Sequence, residues 1–334
     1  MTLNDTSSLR HAPAAKASPL VMLSRYGTFA AFIALLIFNL AVTPHFLSWQ
    51  TFNVNLTQVA TIVIVATGMT LVISTGGIDL SVGSLMAISG ALAPMIFMGG
   101  VFQIDNMALA VGLAFVIPVV VAALLGVFNG LLVTRFSIQP IVATLVLFIA
   151  GRGIAQVMTN GNLQVFKNPS FQFIAMGNLF GIPAQVVLML VIAALAYALI
   201  RYTVIGRQIL AVGGNEKAAR LTGIPVHRIK IVVYMISGAL AGVAGLVVVA
   251  RNSASDANLV GMGMELDAIA AVAVGGSLLT GGRANIIGTL MGALVIQLVR
   301  YTLLANGVPD AAALIVKAGL IVIAVFIQQR ADKI

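Results

Sequence analysis

Long apolar runs, each bounded by a short polar or glycine-bearing stretch, recur from residue 27 to residue 328. About 20 residues of helix cross the roughly 30 Å of hydrocarbon in a bilayer, and a helix satisfies its own backbone hydrogen-bonding groups there. The pattern predicts ten spans, at 27–43, 54–74, 82–100, 106–134, 139–158, 183–200, 230–250, 266–282, 285–304 and 312–328. The expected fold is an all-α polytopic membrane bundle over 27–328, with tails at 1–26 and 329–334.

Composition agrees: 60% of the 334 residues are hydrophobic and 8% are charged, against about a quarter charged in a soluble domain. The net charge of +9 comes from residues scattered over loop ends, without the aromatic interleaving of a single-strand nucleic-acid binder. Topology accounts for it better. With the first span leaving the cytoplasm, the basic N-terminal tail, Arg135, the 201–230 loop, Arg283 and the Arg330/Lys333 tail fall inside. Arg152, Lys167, Arg251 and Arg300 fall near the other side, so the positive-inside bias predicts both termini in the cytoplasm. There is no cysteine, which excludes disulfides and thiolate metal sites. Arg10, Lys16 and Arg25 imitate the start of a signal peptide, but no A-x-A-like site follows, and an uncleaved first helix is expected.

Splitting the chain near residue 175 leaves five spans per half, and an odd number per half makes any internal repeat an inverted one. Each half carries a glycine-interrupted polar break, GGIDLSVGS at 76–84 and ELDAIAAVAVGGSLLTGGR at 265–283. Interrupted spans point to a translocation pathway, which makes Gly76, Gly77, Asp79, Ser81, Asn129, Ser277 and Thr280 the pathway or gate candidates. Asp79 has two compatible readings, a gate hinge or an N-cap for the third span, Gly76 and Gly77 supplying the turn. Glu265 and Asp267 begin the eighth span, where the helix dipole favours carboxylates. Lys317, inside the last span, is expected to snorkel or to pair with Asp310 or Asp267.

No group looks catalytic. His11, His45 and His227 lack metal-ligand spacing, no carboxylate pair is poised for acid–base work, and no Gly-Lys step exists for a phosphate-wrapping loop. Any ATP hydrolysis belongs to a separate protein. Asn55, Gln58, Thr61, Thr67, Ser74, Asn129, Thr144, Ser237, Ser277, Thr280 and Gln297 punctuate the spans. Such groups bond between helices or line a watery path, with packing the default for any one of them, and as a set they suit a neutral polyol better than an ion. Gly238 and Gly242 form a small-xxx-small face for close helix approach. The 201–230 loop carries Arg201, Arg207, Lys217, Arg220, Arg228 and Lys230, and Glu216, Ala218 and Ala219 favour a short helix within it.

Four stretches carry a resemblance: GMTLVISTGGIDLSVGSLMAISG (68–90), AVGGNEKAARLTGI (211–224), ELDAIAAVAVGGSLLTGGR and VKAGLIVIAVFIQQR (316–330). With these in order, the chain resembles the permease subunits of bacterial sugar ABC importers of the ribose, xylose and arabinose type. GRGIAQVMTNG (151–161) and SDANLVGMGMELDAI (255–269) bring it nearest to galactofuranose importer permeases. The resemblance implies a type II importer fold of ten spans in the bacterial inner membrane. It also implies a partner ATPase binding ATP and Mg, a periplasmic sugar-binding protein, and a second permease, identical or related. It further implies that Gly214, Asn215, Ala218, Ala219, Arg220 and Gly223 form the coupling helix docking on the ATPase, with Asn215 where many other importers carry glutamate. The competing expectations are a carrier driven by an ion gradient, which needs an obligatory membrane carboxylate, and a membrane enzyme, which needs a clustered acidic or histidine site.

Overall fold

The computed structural model describes residues 19–100, 103–309, 311–316, 318, 319, 322 and 326, with side chains from residue 27 onward. Its helices are α1 (Pro19–Val42), α2 (Trp49–Ser74), α3 (Val82–Phe97), α4 (Met107–Thr134), α5 (Pro140–Met158), α6 (Pro169–Met176), α7 (Ala184–Tyr202), α8 (Val204–Gly214), α9 (Glu216–Leu221), α10 (Val226–Asn252), α11 (Met264–Val274) and α12 (Ile286–Ala305). Residues 311–316 are also helical. Two short antiparallel pairs join loops: β1 (Gln164–Val165) with β4 (Ala254–Ser255), and β2 (Asn178–Leu179) with β3 (Ile182–Pro183). Among the described residues, α2, α4, α5, α7, α10 and α12 are long and apolar enough to cross a membrane.

α2 is apolar all round, so it needs neighbours rather than solvent on every side. Every residue from Val59 to Ser74 is buried, against α10, α11, α12 and α7. By contrast, Val116, Val120, Leu124 and Phe128 repeat every four residues as an exposed apolar stripe on α4, the surface expected of a lipid-facing helix. α10 lies against α4 with backbones touching. A methyl placed on Gly126 would meet the Tyr234 carbonyl at 2.3 Å, and one on Gly238 the Ala122 carbonyl at 2.3 Å. The small-residue face is thus a contact between helices of the same chain.

Two expectations change. The predicted span 266–282 is a helix of 11 residues, about 16 Å long and too short for a crossing. It stops because Gly276 takes the left-handed conformation (φ 78°), after which Gly281 and Gly282 hold an irregular turn. The predicted 201–230 loop is mostly helical, since α8 and α9 fill it and α10 starts at Val226. Lys317, Asp310, Arg330 and Lys333 lie outside the described residues, as does most of the N-terminal tail.

Candidate functional site

The two polar breaks close their helices in the same way. At the end of α2, Gly77 N–H donates to the Val72 carbonyl (3.1 Å) and Gly76 N–H to that of Ile73 (2.8 Å). At the end of α11, Ser277 N–H donates to Val272 (3.2 Å) and Gly276 N–H to Ala273 (3.0 Å). Both are Schellman stops, which need a left-handed residue and so take glycine. Gly76 and Gly276 share φ 78°.

These breaks lie together, not at opposite ends. Gly282 N–H donates to the Ser74 carbonyl (3.0 Å), and Ser74 Oγ to the Arg283 carbonyl (3.3 Å). An inverted repeat carries equivalent positions to opposite faces, so the breaks at 76–84 and 265–283 are two walls of one junction rather than symmetry mates. The end of α8 seals it: a methyl on Gly213 would fall 1.9 Å from the Ser74 carbonyl oxygen and 2.5 Å from Gly282 N. Ser277 is buried and accepts from Asn285 N–H (3.0 Å), tying the break to the start of α12, while Thr280 is exposed on the same turn.

Below the junction, Asp79 is fully buried. Its Oδ1 accepts from Ser81 N–H (3.0 Å) and Ser81 Oγ (2.6 Å), and its Oδ2 from Ser237 Oγ on α10 (2.8 Å). Asn129 of α4 donates to Ser81 Oγ (2.8 Å), and Leu80 N–H donates to Thr144 Oγ1 of α5 (3.1 Å). The capping account changes accordingly. Ser81 occupies the N-cap position of α3, without a side-chain cap bond, and Asp79 closes an Asx turn before it. The carboxylate therefore ties the start of α3 to α10, with α4 joined to it through Ser81, and neutral donors compensate its burial. Tyr234, which the sequence did not single out, roofs Gly77: its hydroxyl would stand 2.6 Å from an added methyl there.

α8 and α9 form the outer layer at this end. Asn215 caps α9 through Oδ1 to Ala218 N–H (3.0 Å) and donates its own N–H to the Ala211 carbonyl (3.1 Å), so one residue sets the angle between the helices. Glu216 accepts from Lys230 (2.7 Å) and Arg220 (3.1 Å), stapling α9 to α10. The hydrogen bond from Lys230, more than the charge of either base, holds the Glu216 carboxyl below the usual glutamate range. Ala219 is 4% exposed and packs with Val226 and Ile229, so it does not share an outward face with Gly223, which makes the left-handed turn after α9 (φ 82°). Gly214, Asn215, Lys217, Ala218 and Arg220 do face outward, together with Leu221 at 89% exposure. An isolated leucine in a basic loop gave no sequence signal of that exposure.

Glu265 is buried in the first turn of α11, and its Oε2 lies where a methyl on Gly83 would stand 2.5 Å away. Asp267 is in the same turn, and Gly263, not either acid, is the N-cap. Arg152 of α5 donates to the carbonyls of Ala257 (2.8 Å), Val260 (2.6 Å) and Gly83 (3.3 Å), clamping the turn before α11 onto α3. Among the described residues, no three histidine, aspartate or glutamate side chains gather where they could hold a metal ion.

A bundle of apolar helices with a basic, helical loop bonded to two interrupted spans defines the permease class. The chain belongs to the family described as "Branched-chain amino acid transport system / permease component", which matches residues 52–325. It is 36% identical to the galactofuranose transporter permease of Escherichia coli K12, over 90% of this chain and 88% of that one. It is 40% identical to the ribose import permease of the same organism, over 90% and 92%. Against a fructose import permease of Bifidobacterium longum the identity is 42%, over 76% of this chain and 70% of the other. No solved structure matches the chain.

Proposed function

We propose that this chain is the membrane-spanning subunit of an ATP-driven importer, passing a monosaccharide of the galactofuranose, ribose or fructose class across the bacterial inner membrane. The observation that carries this reading is the continuous path from α8–α9, through Gly213 on Ser74 and Gly282, to both interrupted spans and the Asp79 network. A push on α8–α9 reaches the end of α2 and the turn after α11 through direct backbone contacts. Gly214, Asn215, Ala218, Arg220 and Leu221 form the surface that docks on a cytoplasmic ATPase, which alone binds ATP and Mg; Ala219 and Gly223 shape it. The chain carries out no covalent chemistry.

The family description names branched-chain amino acids, whereas the relatives above are sugar permeases; identity over most of both chains favours sugar. The fold is read as ten spans in two inverted halves, with tails at 1–26 and 329–334 and both termini in the cytoplasm, because the basic loop ends cluster with α8–α9. The turns before α3 and α11 support the inversion. Asp79 Oδ1 accepts from the N–H and side chain of Ser81, two residues on, and Asp256 Oδ1 from the N–H (2.8 Å) and side chain (3.0 Å) of Asn258, also two residues on. Each turn links a long helix, α2 or α10, to a short one, α3 or α11. The partners are an ATPase, a periplasmic sugar-binding protein and a second permease copy or relative.

The test is uptake into proteoliposomes holding the tagged permease and the proteins that co-purify with it, supplied with labelled ribose, fructose or galactose. Uptake that needs internal ATP and the binding protein, and survives ionophores, is expected. Uptake abolished by an ionophore and indifferent to ATP establishes the ion-driven carrier instead.

A further inference from the structure

At the end of the bundle opposite α8–α9, amides from α2 and α12 meet, and a guanidinium from α10 is bonded to the same stretch of α2. Gln297, 3% exposed, donates Nε2 to Gln58 Oε1 (2.8 Å) and Asn55 Oδ1 (3.4 Å). Arg251 donates to the Thr57 carbonyl (3.1 Å), next in the chain to Gln58. That bond uses one of the five guanidinium donors. Gln58 itself is exposed. It lies nine residues from the start of α2 and Gln297 eight from the end of α12, about 12–13 Å along each helix. An exposed amide at that depth is costly against lipid. A face so built is covered by water, by a polar solute or by the second permease; its amides can donate to and accept from the hydroxyls of a neutral sugar, and its guanidinium can donate to them.

We propose that Asn55, Gln58, Gln297 and Arg251 form a sugar subsite in the outer half of the translocation pathway, one that takes neutral polyhydroxylated solutes through hydroxyl hydrogen bonds. The proposal rests on the importer reading and goes further by naming where the solute is held. Such a site requires water access at Gln58, and a passing sugar competes with water there.

The chain has no cysteine, so Gln58→Cys gives the permease a single thiol, and labelling is read on the permease after it is separated from its partners. In the reconstituted complex, a charged, membrane-impermeant thiosulfonate is expected to modify Gln58→Cys, and the transported sugar at high millimolar concentration to slow the modification. In parallel, Gln58→Ala and Gln297→Ala are expected to lower sugar uptake about three- to tenfold, the loss of a hydrogen bond or two. Gln58→Asn is expected to recover part of it. Failure to label Gln58→Cys, labelling at the same rate with and without sugar, or wild-type uptake by Gln58→Ala each overturns the subsite. If Gln297→Ala fails to assemble, the exposed Gln58 variants decide alone. Absence of ATP-driven uptake by the unmodified complex instead refutes the importer reading, and so separates the two failures.

Discussion

Gly213 and Gly214 are neighbours in the last turn of α8, yet alanine at the two positions should act in opposite directions. At Gly213 the new methyl would sit 1.9 Å from the Ser74 oxygen and 2.5 Å from Gly282 N, the two atoms of the hydrogen bond that joins the interrupted spans. Both obstacles are backbone, so no rotamer change relieves them. Overpacking of this kind costs about 1–3 kcal/mol, set against about 1 kcal/mol gained from replacing a helical glycine. At Gly214 nothing lies within 4 Å of the added methyl, so only the helix gain remains. The helix gain is common to both, so the two variants should differ by the overpacking cost, about 1–3 kcal/mol in stability. Thermal unfolding in detergent measures this, and the ratio of sugar moved to ATP hydrolysed in the reconstituted complex measures coupling. Gly213→Ala should melt lower and move less sugar per ATP, while Gly214→Ala should melt at or above the parent. A Gly213→Ala protein that is as stable and as well coupled as the parent refutes the backbone junction as the path of force.

Three further outcomes follow from the same geometry. Asp79→Ala strands three donors and should cost about 2–4 kcal/mol, whereas Asp79→Asn should keep most stability because the Ser237 hydroxyl can turn to accept; unfolding midpoints of the two variants decide, and equal damage makes the charge itself the requirement. Glu216 has its pKa depressed in the folded chain, so its staple contributes stability above the ordinary value of 4.5 and loses it as pH falls through the lower folded value; Glu216→Gln should therefore cost up to about 1 kcal/mol at pH 7 and little at acid pH, and an equal cost at both refutes the staple. Leu221→Asp should weaken ATPase binding in a pull-down without lowering the melting temperature of the isolated permease, whereas Ala219→Asp should lower that temperature; the reverse order would show that the faces of α9 have been misassigned.

The importance of the coupling loop was legible because a polar, basic run with helix formers stands out in an oily chain. Which side of α9 faces out was not. Ala219 and Gly223 are four apart and would share a face on a longer helix, but α9 ends at Leu221 and the left-handed turn at Gly223 redirects the chain. Asp79 stood out by its cost in an apolar setting. Ser237, its partner 158 positions away, was one hydroxyl among many and acquired meaning only when α10 packed against the first break.

The periodicity and length of apolar runs settle, from sequence alone, that this chain is a helical membrane bundle, because the hydrocarbon slab imposes the length and forbids unpaired backbone. The glycines at 76–77 and 275–276 marked polar breaks in the sequence, but that a helix stops at Gly276 rather than running on to 282 came from the structure, where that glycine takes the left-handed conformation of a Schellman cap. That the stops at Gly76 and Gly276 meet at one end and that α8 lies on both are non-local facts. No local pattern encodes them, since they depend on which helices can approach backbone to backbone, and that is decided by packing across the whole bundle.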